Sequence, residues 1–260
     1  MSDEALRIER EGGIAVLRLC QPESRNALTA ALREALEARL PALLAEQDVR
    51  CLLITGSGST FSAGGDITSF LRPMSPGAVR ARMARSHAWI EALLTAEKPV
   101  VTAVNGPAVG AGFGLAMLGD IVLAARRAWF MSGFSTIAVA ADYALARTLP
   151  RAVGAIRAKD ILFSGRRVEA EEAERIGLVA RLVDDAMLET EALGVARQLA
   201  EGPTLALGLT KTLVAKGFEL GTAAYLEAEG FAQATAFGST DHREGVSAFL
   251  EKRKPRFEGR

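Results

Sequence analysis

The chain has 260 residues, and 49% of them are hydrophobic, so it can bury a large core. Its 31 basic residues equal its 31 acidic ones, so the chain lacks the net positive charge expected of a nucleic-acid-binding protein. An acidic N-terminus, the lack of a long uncharged apolar run and two isolated cysteines predict a cytoplasmic protein with no membrane segment and no metal site.

The N-terminal part of the chain predicts a hairpin, a helix and a strand. Apolar residues alternate on both sides of Gly12-Gly13, which is typical of two antiparallel strands joined by a turn. Leucines at helical spacing follow Thr29, a candidate N-cap, and Pro41 predicts a kink or a break in that helix. The apolar run 51–55 predicts a buried parallel strand.

The middle of the chain alternates between buried strands and helices. Strands are predicted at 99–104 and 121–124, and helices at about 76–96 and 111–118. This alternation indicates an α/β architecture with a parallel sheet.

The end of the chain is helical and amphipathic. Helices are predicted at 169–176, at 203–216 and near the C-terminus, where Asp241 and Glu244 form an approximate capping box. We therefore divide the chain into a core domain, 1–198, and a helical C-terminal region, 199–260, that packs on the core or on a neighbouring subunit.

Two glycine-bearing loops, 56–66 and 105–112, each follow a buried strand and precede a helix. Small residues allow a ligand to approach the backbone closely, and a helix start offers unpaired N–H groups. The loops lack a Gly-Lys-Ser/Thr phosphate motif, and Phe61 stands where a dinucleotide fingerprint has its third glycine. The sequence also lacks the Gly-x-Ser-x-Gly elbow of a serine hydrolase.

Three segments indicate a particular protein family. The loop Phe61–Ile67, with the sequence FSAGGDI, the loop Asn105–Gly112 and the segment Arg25–Leu28 resemble motifs of the enoyl-CoA hydratase/isomerase (crotonase) family. Later landmarks match in order, so the resemblance covers nearly the whole chain. It implies a spiral of ββα turns with a helical C-terminal trimerisation region. It also implies an acyl-CoA thioester substrate, no cofactor besides the CoA of that substrate, and a homo-oligomer that is a trimer or a dimer of trimers.

The resemblance also implies an oxyanion hole. Members of the family point two backbone N–H groups at the thioester carbonyl oxygen and stabilise the enolate that forms there. By position, we assign these groups to Ala63 and Ala111, the second of which lies at a helix start, where the helix dipole strengthens it.

The proton-transfer groups of the family differ among its members. Members that add water use two glutamates, and their positions are occupied here by Gly114 and Phe134, so a two-glutamate hydratase is not expected. Asp142 stands where ring-opening phenylacetyl-CoA isomerases and 4-chlorobenzoyl-CoA dehalogenases carry a functional aspartate. In an apolar pocket its pKa would rise, and it could move a proton between carbons. The chain departs from these relatives at Ala141 and at Ala144-Leu145, where they have proline and a glycine pair.

Three functions follow from the resemblance. The first is an acyl-CoA isomerase with Asp142 as acid and base. The second is dehalogenase-like hydrolysis, with His87 near the position of that enzyme's histidine, although Phe134 replaces its tryptophan. The third is a non-catalytic acyl-CoA binder.

The remaining site residues carried over from the family are expected to contact the substrate. Asp66 also has a neutral interpretation, in which it holds its turn by backbone hydrogen bonds. Lys211, Phe249 and Lys252 resemble tail positions that touch the CoA nucleotide, in some members from a neighbouring subunit. The full predicted substrate-binding set is Arg25, Ala27, Asp66, Ile67, His87, Gly110, Phe134, Lys211, Phe249 and Lys252.

Overall fold

A computed structural model describes residues 5–71 and 73–260. The strands are β1 (Leu6–Glu11), β2 (Ile14–Leu19), β3 (Cys51–Gly56), β4 (Val100–Val104), β5 (Ala108–Val109), β6 (Ile121–Ala125), β7 (Trp129–Met131), β8 (Arg167–Glu169) and β9 (Arg181–Val183). The α-helices are α1 (Ala30–Ala45), α2 (Pro76–Thr95), α3 (Ala111–Ala116), α4 (Leu145–Val153), α5 (Ala155–Ser164), α6 (Ala170–Arg175), α7 (Leu188–Ala200), α8 (Thr204–Gly217), α9 (Thr222–Phe237) and α10 (Thr240–Glu251).

The main sheet has six strands in the order β1-β2-β3-β4-β6-β9. Strands β1 and β2 form the predicted antiparallel hairpin, and every other neighbouring pair is parallel. A second sheet of three strands, β5-β7-β8, lies beside it. The α/β class with a largely parallel sheet is therefore confirmed.

The main sheet is covered on both faces, which explains its continuous apolar strands. Alternate residues of β3 enter two separate cores: Leu52 and Ile54 pack with the helices of one face, while Cys51 and Leu53 pack against α7. The first face carries α1, α2 and α3, and its core extends to Tyr143 beside the cavity described below.

Helix α1 begins as predicted but does not break. The Thr29 side chain accepts a hydrogen bond from the Leu32 amide at 3.3 Å, which confirms the N-cap. The break predicted at Pro41 is wrong, because α1 is continuous from Ala30 to Ala45. Pro41 lies on the solvent face, where water can reach the carbonyl that the proline leaves without a donor.

The C-terminal helices are held to the core by Arg50. Its guanidinium donates to the Thr204 hydroxyl at 2.9 Å, to the Phe257 carbonyl at 2.8 Å and to the Gly202 carbonyl. Helix α9 contributes no buried residue among those described. The helices of this region therefore present most of their apolar side chains to the outside.

The capping box predicted for α10 is wrong. The N-cap is Ser239, whose hydroxyl accepts from the His242 amide at 3.0 Å. Asp241 instead accepts from the amides of Glu258 and Gly259, at 2.7 and 2.8 Å, and Glu244 pairs with Arg253. Both carboxylates therefore tie down the C-terminal segment.

Within residues 5–71 and 73–260, we find no helix that combines the length and the apolar character needed to cross a bilayer.

Candidate functional site

The two glycine-bearing loops are joined side by side. Ser62 and Ala108 form a parallel bridge in which the Val109 amide donates to the Ser62 carbonyl at 2.9 Å. Gly64 packs so closely on the second loop that an added Cβ would collide with the Val109 carbonyl and lie 3.3 Å from the Ala111 nitrogen. The corners after β3 and β4 therefore converge on one place, as the family resemblance requires.

Two buried asparagines hold the first loop in position. The Asn26 amide nitrogen donates to the carbonyls of Ser57 and Thr60, at 2.9 and 2.7 Å. The Asn105 amide nitrogen donates to the Gly58 carbonyl at 3.0 Å, and its oxygen accepts from the Gly56 amide at 3.1 Å. Sequence analysis gave neither side chain a role, because their partners lie 31 or more residues away.

The structure contradicts one of the two predicted oxyanion donors. The Ala63 amide donates to the Arg25 carbonyl at 2.9 Å, so the assignment of this N–H group to the oxyanion hole is wrong. The amide of Gly65, two residues on, makes no hydrogen bond within the described residues. Gly65 also lines the cavity described next, so we assign the first donor to Gly65.

The amide of Ala111, the second predicted donor, is available to a ligand. Ala111 is the first residue of α3, and its amide is unpaired within the described part of the chain. Gly110 precedes it with φ of 54° and ψ of −122°, a conformation that favours glycine. The Ala111 N–H group is therefore free to bind a ligand atom at the start of a helix.

These loops border a cavity of about 980 Å³. Its wall is mostly apolar and includes Phe70, Met74, Met83, Phe134 and Ile137. The predicted site residues that line it are Ala63, Ile67, His87, Gly110, Ala111, Phe134 and Asp142. A large, mainly apolar cavity with a few converging polar groups is typical of a small-molecule site.

Asp142 is the only carboxylate among the described residues that line this cavity. Burial raises its pKa from 3.8 to about 6, although the positive charge of Arg82 opposes this shift. Its Oδ1 atom is buried and has no hydrogen-bond partner within residues 5–71 and 73–260. An unpartnered carboxylate oxygen with a pKa near neutrality is suited to proton transfer.

The chain around Asp142 adopts a strained conformation. Tyr143 and Ala144 both have left-handed backbone angles, with φ of 50° and 57°, and each costs on the order of 1–3 kcal/mol relative to a relaxed residue. A Cβ atom added to Gly114 would lie 2.5 Å from the Tyr143 Cβ and 3.2 Å from the Asp142 carbonyl. The space that a glutamate at position 114 would need is thus filled by the Asp142 segment.

Asp66 holds its own turn by hydrogen bonds, as its neutral interpretation predicted. Its Oδ1 atom accepts hydrogen bonds from the Thr68 amide and hydroxyl, at 3.1 and 2.6 Å. The Thr68 hydrogen bonds lower its pKa, and the side chain does not line the cavity. Asp66 therefore stabilises the short 3-10 helix Ile67–Leu71.

Arg25 and Ala27 lie beside the cavity wall rather than in it. Arg25 is exposed with φ of 55°, and its carbonyl holds the Ala63 amide. Ala27 is buried at 9% exposure next to Leu28, which bridges to Gly65. Their predicted contact with CoA stays a prediction.

Lys211 is already engaged elsewhere. Its ammonium pairs with Asp120 at 2.9 Å and donates to the Leu93 carbonyl at 2.8 Å, with only 12% of the side chain exposed. These contacts fix α8 to the core, and the predicted contact of Lys211 with the CoA nucleotide stays a prediction. Phe249 and Lys252, on and just after α10, are exposed and do not line the cavity, so their contact with CoA stays a prediction.

Comparison with known proteins extends these observations. The enoyl-CoA hydratase/isomerase family model matches residues 9–260. The chain is 37% identical over 255 residues to the 1,2-epoxyphenylacetyl-CoA isomerase of Escherichia coli K12, covering 96% of this chain and 97% of that protein. It is 36% identical over 222 residues to the 4-chlorobenzoyl coenzyme A dehalogenase-2 of an Arthrobacter species, covering 83% and 79%. A crystal structure of a putative enoyl-CoA hydratase from Streptomyces coelicolor A3(2) superposes with a TM-score of 0.93 at 34% identity, covering 98% of this chain and 94% of that one.

Proposed function

The chain belongs to the enoyl-CoA hydratase/isomerase family and has its crotonase-like fold, and on that premise we propose that it is an acyl-CoA isomerase in which Asp142 moves the proton. The observation that carries the proposal is the unpartnered Asp142 carboxyl, with a pKa of about 6, in the cavity that the Gly65 and Ala111 amides border.

The reaction keeps all its atoms within the substrate and Asp142. The Asp142 carboxylate takes a proton from a carbon next to the double bond or ring, and the electron pair moves onto the thioester oxygen. The Gly65 and Ala111 N–H groups stabilise the resulting enolate oxygen. The protonated Asp142 then returns the proton to a different carbon, so the reaction needs no separate cofactor.

A two-glutamate hydratase fits the site poorly. Position 134 carries a phenylalanine, and the Tyr143 segment fills the space beside Gly114. Neither Gly114 nor Phe134 carries a group that can activate water. This is why we favour isomerisation, although other members of the family are hydratases by name.

Proton exchange tests the assignment of the base. The wild-type protein should exchange the α or γ hydrogens of an enoyl-CoA with solvent deuterium, followed by mass spectrometry. Asp142→Asn keeps the shape of the side chain but cannot accept the proton, so we expect exchange to fall by about 100-fold or more. Undiminished exchange in Asp142→Asn would remove Asp142 from the mechanism.

A second candidate is dehalogenase-like hydrolysis, which is favoured by the presence of His87 in the same cavity as Asp142. The Asp142 carboxylate would attack the ring carbon that carries the halogen, and halide would leave with the bonding electron pair. Water, deprotonated by His87, would then cleave the aspartyl ester. Halide release from 4-chlorobenzoyl-CoA that requires both Asp142 and His87 would select this function over isomerisation.

A homo-oligomer, either a trimer or a dimer of trimers, is part of the proposal. The region after α7 exposes many large apolar side chains, and such a surface on a globular chain is typical of a protein interface. The exposed set is Val214, Phe218, Leu220, Leu226, Phe231, Phe237, Val246, Phe249 and Leu250. In such an assembly Phe249 and Lys252 would be candidates to reach the CoA bound to a neighbour.

A further inference from the structure

A positive charge lies in the part of the cavity that should hold the acyl group. Arg82 of α2 is half-buried and lines the cavity among apolar side chains such as Met83 and Ile137. Because the side chain is partly exposed and lines the cavity, its guanidinium lies where a ligand in the cavity can reach it.

Arg82 has no carboxylate partner within 4.0 Å among residues 5–71 and 73–260. Its Nη1 atom lies 3.6 Å from the Met74 sulfur, which is a weak acceptor, and its Cζ lies 5.6 Å from the centroid of the Phe70 ring. The guanidinium is within cation–π range of the Phe70 ring, and its contact with the Met74 sulfur leaves most of its N–H donors for other atoms.

Arg82 lies near both the donor loop at Gly65 and the acid/base residue Asp142. The Phe70 ring near the guanidinium is in contact with Gly65, since a Cβ added to Gly65 would lie 2.9 Å from the ring. Arg82 is also the cation that lowers the pKa of Asp142 most strongly. The guanidinium is thus one aromatic ring away from a donor amide and within electrostatic reach of the acid/base group.

We propose that Arg82 determines specificity by binding an acceptor oxygen, a carbonyl or a carboxylate, on the acyl group at a distance from the thioester. The substrate class would then be an oxygen-bearing acyl-CoA rather than a plain hydrocarbon chain. The inference rests on the proposed function only in that the ligand is an acyl-CoA. It does not depend on which reaction follows.

The alternative is that Arg82 acts only through Asp142. In that case, replacing Arg82 would change turnover of every acyl-CoA alike and would leave the binding of unreactive ones unaltered. Binding of saturated acyl-CoAs therefore separates the two roles, because they cannot be isomerised. It also separates this inference from the proposed function, whose failure would appear as absent turnover with binding intact.

The experiment measures dissociation constants by calorimetry for three saturated six-carbon probes. These are hexanoyl-CoA, 5-oxohexanoyl-CoA and the terminal carboxylate adipyl-CoA. The variant is Arg82→Met, which keeps the apolar stem of the side chain. The matched control is Arg85→Met, which changes an arginine on the same helix that pairs with Glu37 and does not line the cavity.

A hydrogen bond to a charged group is worth enough that we expect Arg82→Met to lose about tenfold or more in affinity for at least one oxygen-bearing probe. Hexanoyl-CoA should bind the variant as well as, or better than, the wild type, and Arg85→Met should change none of the three. An equal loss for all three probes, or no loss for either oxygen-bearing probe, would overturn the proposal. Circular dichroism of both variants verifies that they are folded.

Discussion

At the residue scale, the site depends on backbone groups whose availability is set by distant partners. The motif FSAGGDI carries the amides of both Ala63 and Gly65 on one loop. The Arg25 carbonyl decides between them by accepting the Ala63 N–H group. That pairing joins residues 38 positions apart, 63 minus 25, so the motif predicts the loop but not which of its amides is free.

The Ala111 donor can be removed without changing the helix. Proline is well tolerated at the first position of a helix and has no N–H group, so Ala111→Pro should fold with little change in melting temperature. Its kcat should fall by about 100- to 1,000-fold, because one oxyanion donor is lost. Steady-state kinetics beside a thermal melt measures both quantities. Ala111→Gly, which keeps the amide, is the control, and an unchanged kcat in Ala111→Pro would contradict the assignment.

Asp142 should make the stability of the protein depend on pH. Because burial raises its pKa to about 6, the folded state favours the protonated form, and this stabilisation is fully present below about 3.8 and is lost as the pH rises through 6. Asp142→Asn cannot ionise. Its free energy of unfolding relative to wild type should therefore improve by about 2 kcal/mol between pH 4 and pH 8.

Urea denaturation at the two pH values tests this prediction. Asp66→Asn is a control with a different pH window: hydrogen bonds from Thr68 lower the pKa of Asp66, so their stabilisation is lost only as the pH falls below about 3.8, and the relative stability of this variant should change little between pH 4 and pH 8. A relative stability of Asp142→Asn that is the same at pH 4 and pH 8 would show that the Asp142 carboxyl titrates normally. An isomerase that uses ionised Asp142 should also gain activity as the pH rises through about 6.

At the scale of elements, the ion pair between Lys211 and Asp120 holds α8 against the core. Burial raises the pKa of Asp120 and Lys211 lowers it, so the two side chains depend on each other. Lys211→Met would leave the Asp120 carboxylate partly buried and unpaired, and we expect a loss of about 2–3 kcal/mol in the free energy of unfolding. Chemical denaturation measures it. Lys216→Met on the exposed side of the same helix should have no effect, and the double change with Asp120→Asn should recover part of the loss.

The elements that the sequence predicted well are those with a full apolar period. Helix α1 and strands β3 and β4 carry continuous or periodic apolar residues that all enter a core. Strands β5, β7, β8 and β9 have only two or three residues each, too few to show alternation, and none was predicted. Their positions are fixed by tertiary pairing rather than by local pattern.

At the scale of the whole molecule, the sequence predicted that two loops meet but not what surrounds them. Their convergence follows from parallel strands β3 and β4, whose ends lie at one edge of the sheet. The cavity wall comes from elsewhere, with Phe70, Arg82 and Phe134 on three different segments. Such long-range placement is not encoded in any single motif, and this is why Arg82 gave no signal in the sequence.

The apolar surface of the C-terminal region predicts an assembly that a single charge should disrupt. Phe231 of α9 is 70% exposed, and Phe231→Glu would place a carboxylate in the proposed interface, where burying it without a partner is costly. We expect the wild type to have a mass of three or six times 27.5 kDa by light scattering and the variant to dissociate toward a single chain. Phe163→Glu changes an equally exposed phenylalanine, at 73%, on α5 of the core, and should not dissociate the trimer. A monomeric wild type, or a dissociation caused by Phe163→Glu alone, would contradict the proposal, because the helices after α7 would then have no role in assembly.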